Sequence, residues 1–199
     1  GLLGWAGVMP HEVDVRTGRA VDWAAAGRLG CIDVLVLDHR GTRYHEDLVS
    51  AEPNLAGDAR VFADNVLSPG APLLLSCVDG RYDLNIHEVE EFLRPRRDDW
   101  VILACKRRDR PLPVLRDRSR REGVRSEHRD LESWSNQIDK LCWQSSPSNG
   151  SYRVAVGPGR WQELQQGLAP VLRSWAAERG FLPPATQPTA IRADDANSS

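Results

Sequence analysis

Two short apolar runs, each ending in a carboxylate, constrain this chain more than anything else in it. Ile32–Leu37 (IDVLVL) is followed at once by Asp38, and Ala59–Ala63 by Asp64 and Asn65. The first run is apolar on both faces, as strands of a parallel sheet tend to be. In an open parallel sheet, ligands gather at the carboxyl ends of the strands. Two such ends side by side would bring Asp38, Asp64 and Asn65 together as oxygen ligands, the donor type that a hard cation such as Mg²⁺ takes.

Each residue also has a plainer explanation. Asp38 alone reads best as a cap for the helix that follows, Tyr44–Glu52, through a side-chain hydrogen bond. Asp64-Asn65 alone reads as the start of a turn, a common place for Asp and Asn. Their occurrence at consecutive strand ends, just before the loop Pro69-Gly70-Ala71-Pro72, favours the metal site.

The strand–helix–strand alternation predicts an α/β fold with a parallel sheet. Upstream, His11–Arg16 alternates polar and apolar and reads as a strand, and Val21–Gly27 as a short alanine-rich helix. Downstream, Leu73–Val78 and Trp100–Cys105 read as segments at the sheet edge, the last strands being antiparallel, with a loop or short helix over His87–Leu93. Residues 1–8 read as the end of a helix. Since the first residue is Gly1, the chain is expected to be a piece of a longer protein.

Four units are expected: 1–105 as a sheet domain, 106–126 as a charged linker, 127–182 as a helical extension, and 183–199 as a disordered polar tail. Within the extension, Leu131, Trp134, Ile138 and Leu141 recur at steps of three and four and mark a helical face. Trp161, Leu164, Leu168, Val171, Leu172 and Trp175 mark a second helix, bent by Pro170. A short strand is expected at Tyr152–Val156 between them. The tryptophans are expected to pack these helices together or onto the sheet, in preference to forming a partner surface.

At 199 residues and 41% hydrophobic, the chain can bury a core. A net charge of -2 gives no bulk electrostatic case for nucleic acid or an anionic membrane. Cys31, Cys77, Cys105 and Cys142 form no C-x-x-C pair, so neither a zinc motif nor a disulfide framework is expected, and a reducing, cytoplasmic location is. No apolar run reaches membrane-span length. A dinucleotide-binding domain is disfavoured because no G-x-G-x-x-G occurs.

VLVLDHRGTRYHEDL followed by ADNVLSPGAP resembles the catechol O-methyltransferase family, over about residues 1–105. The strongest part of the likeness is the pair Ala63–Val66 and Pro69–Pro72. Trp5-Ala6-Gly7-Val8 and Gly18 resemble the helix end and adenine-pocket region upstream. The resemblance implies a Rossmann-like S-adenosylmethionine-dependent methyltransferase sheet, truncated at its N-terminus and carrying a helical C-terminal extension. It further implies packing against an N-terminal half.

By this resemblance Asp38, Asp64 and Asn65 would ligate Mg²⁺. Gly18, Ala20, Val21, Asp38, His39 and Arg40 would line the S-adenosylmethionine site, with His39 against the adenine. Asn65, Pro69 and Glu91 would meet a catechol-like substrate. Chelation lowers a hydroxyl pKa and gives a nucleophile near neutral pH, and the methyl group then needs chiefly in-line positioning.

Two departures stand out. The family's general base, a lysine, falls on Gly41, and the only lysines are Lys106 and Lys140. Arg40 and Arg43 cannot substitute, because guanidinium does not deprotonate in proteins; His39 and His45 are the remaining proton acceptors nearby. A lysine introduced at Gly41 would then be expected to raise activity near neutral pH, provided the loop tolerates losing glycine. The second departure is that the family's glycine-rich cofactor loop and its ribose-binding acid have no counterpart in these residues. The competing expectation is a degenerate methyltransferase fold that has become a binding or interaction module.

Overall fold

The computed structural model describes residues 7, 9, 11–90, 98–107, 122–145 and 158–182. Its centre is a four-stranded mixed sheet in the order β1-β2-β4-β3. β1 (Ile32–Leu37) and β2 (Leu55–Ala63) are parallel, with Leu37 opposite Ala63. β4 (Asp98–Lys106) runs antiparallel to both β2 and β3 (Tyr82–Glu90). The expected α/β class with antiparallel last strands is what the chain forms.

α1 (Ala20–Ala25) precedes β1, and α2 (Tyr44–Ala51) joins β1 to β2. Pro53 follows α2 within a short 3₁₀ turn, where a proline cannot continue the α-helical ladder. After β2 the chain makes a tight turn over Val66–Gly70, closed by Gly70 N–H to Asn65 O (3.2 Å) and Ala71 N–H to Val66 O (2.9 Å). α3 (Pro72–Val78) follows, then β3, β4, α4 (Glu122–Ser145) and α5 (Pro158–Glu178).

Three expectations are corrected. Leu73–Val78 is a helix, not a sheet-edge segment; its apolar run has no period to decide between the two, and Pro72 occupies the first helical turn, where its missing N–H is harmless. His87 is inside β3, which continues to Glu90. The alternation Tyr82, Leu84, Ile86 inward and Asp83, Asn85, His87 outward is the period-two signal that identifies it. His11–Arg16 is not a strand: it has no sheet partner, and Arg16 instead reaches Asp14 and the Arg28 carbonyl.

α4 begins within the stretch expected as linker, and its face carries the predicted Leu131, Ile138 and Leu141, all buried. α5 buries Leu164, Leu168, Leu172 and Trp175, while Pro170 sits on its exposed side. Trp134 lies so close to Gly167 that a β-carbon there would come within 2.5 Å of the indole. Trp175 stacks on Phe181 at 5.7 Å. These two tryptophans therefore serve packing. The expected strand at Tyr152–Val156, the tail 183–199 and most of residues 1–8 lie outside the described residues.

The core is continuous from the sheet through α2 and α3 to α4 and α5. It lies on one face of the sheet, where Leu37, Val61, Ala63, Ile102 and Ala104 are buried. On the opposite face Val34 and Val36 of β1 are 60% and 58% exposed, and β1 is an edge strand among the described residues. No helix among those residues is long and apolar enough to cross a membrane.

Candidate functional site

Parallel pairing of β1 and β2 places the two acidic strand ends next to each other. Asp38 follows Leu37 and Asp64 follows Ala63, which are partners in the register. The ladder extends one step further, with Asp64 N–H donating to Leu37 O at 3.0 Å. Neither the 3₁₀ turn at Gly41–Arg43 nor α2 is capped by a side chain, so Asp38 does not serve as the helix cap that was its plainer explanation.

Asn65 adopts a left-handed conformation (φ 55°), which asparagine tolerates better than most residues. Its backbone N–H donates to Asp64 Oδ1 at 2.8 Å, and its Nδ2 donates to Asp99 Oδ2 at 2.8 Å. The amide nitrogen faces Asp99, so the carbonyl oxygen is turned elsewhere. Among the described residues no group of three or more histidine, cysteine or carboxylate side chains gathers as a metal site. The donor set on hand is two carboxylates and one amide oxygen, a hard oxygen set of the kind Mg²⁺ takes.

Asp99 organises the turn from below. It is buried at the start of β4 and accepts from the N–H groups of Leu67 (3.1 Å), Ser68 (2.9 Å) and Trp100 (2.7 Å) as well as from Asn65. Burial pushes its carboxyl above the ordinary range, against the opposing pull of these four donors. No local pattern marks this role, because its partners Asn65, Leu67 and Ser68 are distant in sequence.

Tyr44 is the other residue that the sequence left unmarked. It is buried beneath the strand ends, where burial first, and then the Asp38 and Asp64 carboxylates, hold its hydroxyl well above the usual phenol range. His39 meets Tyr44 edge to face at 5.0 Å and shares a 2.7 Å contact between Nε2 and Asp47 Oδ2.

The cofactor candidates divide. Arg19 Nη2 lies 4.0 Å from Glu46 on α2, beside the Asp47 that holds His39, so the segment Gly18, Ala20 and Val21 is on the His39 side of the site. Gly18 has φ +120°, a backbone state that favours glycine. Arg40 points the other way: its guanidinium is held by Asp139 of α4, with Nη2 2.9 Å from Oδ1. Pro69, half-buried, accepts from Gln165 Nε2 of α5 at 2.9 Å through its carbonyl. Glu91 lies outside the described residues.

Gly41, the position of the family's lysine, is packed against the turn after β2. A β-carbon on it would fall 2.5 Å from Gly70 O and 3.3 Å from Ala71 Cβ. Gly41 is not in the left-handed region; space, not backbone conformation, keeps this position glycine. A lysine at this position would have to displace the Gly70 backbone.

No protein-family model matches the chain, and no curated protein does. Solved structures do. A protein from Klebsiella pneumoniae described as a candidate O-methyltransferase matches with 17% identity and a TM-score of 0.44, over 53% of this chain and 54% of that one. The O-methyltransferase TomG from Streptomyces achromogenes, involved in tomaymycin synthesis and solved with SAM, matches with 20% identity and a TM-score of 0.43, over 53% and 54%. The chain spans about half the length of these two structures.

Proposed function

We propose that this chain carries the cation-binding half of an S-adenosylmethionine-dependent O-methyltransferase acting on catechol-like hydroxyls. The observation that carries the reading is the adjacency of Asp38 and Asp64-Asn65 at the ends of two parallel strands, tied by Asp64 N–H to Leu37 O. Asp38, Asp64 and the Asn65 carbonyl would hold Mg²⁺, which when bound acidifies a chelated hydroxyl. S-Adenosylmethionine would supply the methyl group, with Gly18, Ala20, Val21 and His39 on its adenine side. Pro69 would border the aromatic ring of the substrate.

This chain's own contribution is mainly placement. Asp99 holds Asn65, Leu67 and Ser68, and Tyr44 stays neutral beneath the strand ends. No lysine stands near, which leaves the proton to the cation's effect on the hydroxyl and to solvent or His39.

The second reading, a methyltransferase-like module that binds without catalysis, is favoured by the closed space at Gly41. The two readings separate in one experiment. Mn²⁺ or Mg²⁺ binding would be followed by calorimetry on the chain and on Asp38→Asn and Asp64→Asn, together with labelled methyl transfer to catechol at saturating S-adenosylmethionine. Cation binding lost in both variants, with transfer in the parent, supports the enzyme. Cation binding without transfer supports the module, and no binding in the parent removes both metal-based readings.

A further inference from the structure

Both α4 and α5 reach the two ligand-bearing loops. Asp139 of α4 accepts from the Thr42 hydroxyl and pairs with Arg40 (2.9 Å) and more loosely with Arg43 (3.6 Å), so one carboxylate holds three residues of the loop after β1. Gln165 of α5 holds the Pro69 carbonyl in the loop after β2. Between these fastenings Gly70 fits so closely that a β-carbon would lie 2.7 Å from Leu168 and 3.2 Å from Ile138. The two loops also touch each other, at Gly41 and Gly70.

We infer that the α4–α5 pair is a clamp on the candidate cation site, and that Asp139 is its principal positioning residue. The inference rests on the proposed function and adds to it a role for the helical extension, which the likeness over residues 1–105 leaves without one. Asp139 touches no candidate ligand. It fixes Arg40, directly after Asp38 and His39, and Thr42 two residues on, while Gln165 and the apolar pair fix the loop that follows Asp64 and Asn65. Held from both sides, the spacing between Asp38 and Asp64-Asn65 is set before a cation arrives, so binding need not order the loops. Outer groups that orient ligands in this manner typically matter by ~10–100-fold in metal affinity.

The test compares Asp139→Ala with Asp79→Ala. Asp79 pairs with Arg179 at 2.9 Å and so loosens the far end of α5 without touching either loop. Thermal unfolding reports the general loss of stability, and Mn²⁺ titration of the full chain reports the site. Amide exchange over 39–43 and 65–71 reports the loops. Asp139→Ala is expected to weaken Mn²⁺ by about tenfold and to speed exchange in the first loop, with Asp139→Asn, which keeps an acceptor for Thr42, losing less. Asp79→Ala is expected to leave Mn²⁺ affinity unchanged at a comparable thermal shift. Equal Mn²⁺ affinity in Asp139→Ala and the parent, or an equal loss in Asp79→Ala, overturns the clamp while leaving the cation site standing. Failure of the parent itself to bind Mn²⁺ overturns the cation site and the clamp's role in it together.

Discussion

The carbonyl oxygen of Gly70 occupies the space that a side chain on Gly41 would need, 2.5 Å from the position of its β-carbon. A backbone atom cannot swing aside as the end of a side chain can, and this one is pinned in turn by Leu168 and Ile138. The absence of a lysine at this position is thus built into the packing of the two loops and the helices behind them.

Gly41→Ala is accordingly predicted to destabilise the chain by about 1–3 kcal/mol, the usual range for overpacking a filled site. Gly41→Lys should do at least as much damage and bring no gain in methyl transfer at neutral pH. Urea unfolding of the two variants measures the first statement, and a parallel assay of transfer the second. A Gly41→Lys protein of parental stability would show that the loops yield easily.

Alkaline pH provides a separate check on the buried floor. Tyr44 and Tyr82 are both held above the ordinary phenol value of 10.0, chiefly by burial. In the unfolded chain they ionise near that value; in the folded chain they do so later. Above pH 10 the unfolded state therefore binds fewer protons, so the stability these groups contribute is complete below pH 10 and is lost as pH rises. Tyrosinate absorbance should rise together with unfolding for these two residues, and Tyr44→Phe should flatten the alkaline loss. Reversible ionisation of both within the intact fold would contradict their burial.

Asp99→Ala removes one acceptor from four donors. A buried donor left without a partner costs roughly 1–3 kcal/mol, so a loss of at least about 3 kcal/mol is expected, among the larger effects of a single substitution. Asp99→Asn keeps the shape but offers amide hydrogens to backbone N–H groups, and should recover only part of it. Denaturant midpoints order the three proteins.

By the resemblance, the residues carried over for S-adenosylmethionine would lie on its adenine side, around Gly18 and His39, and no glycine-rich loop for its methionine end occurs in these residues. The chain on its own is predicted to bind the cofactor more weakly than micromolar. Calorimetry decides this, and micromolar binding would mean that these residues make a sufficient pocket.

Much of the site's framework was legible because it is periodic or punctuated. β1, α2 and the apolar faces of α4 and α5 follow from runs and repeats, and the strand-end position of Asp38 and Asp64 follows from where those runs stop. What escaped was long-range. Nothing local distinguishes Asp99 from an exposed strand-start acid, or Asp139 from any other charge on a helix; each is defined by partners 31 or more residues away, as Asp99 is by Ser68 and Asp139 by Thr42. Leu73–Val78 hides its helix for the opposite reason: apolar but for Ser76, the run carries no period by which helix and strand could be told apart.

The bare side of β1 has a consequence for how the chain behaves in solution. An edge strand, as β1 is among the described residues, with two exposed valines is a template on which other chains can nucleate, and charge at such edges is what ordinarily prevents it. Asp33 is the sole charge within the strand. Concentrated samples should scatter light progressively, and Val34→Lys or Val36→Lys should delay the onset without moving the unfolding midpoint, because neither valine contributes to the core.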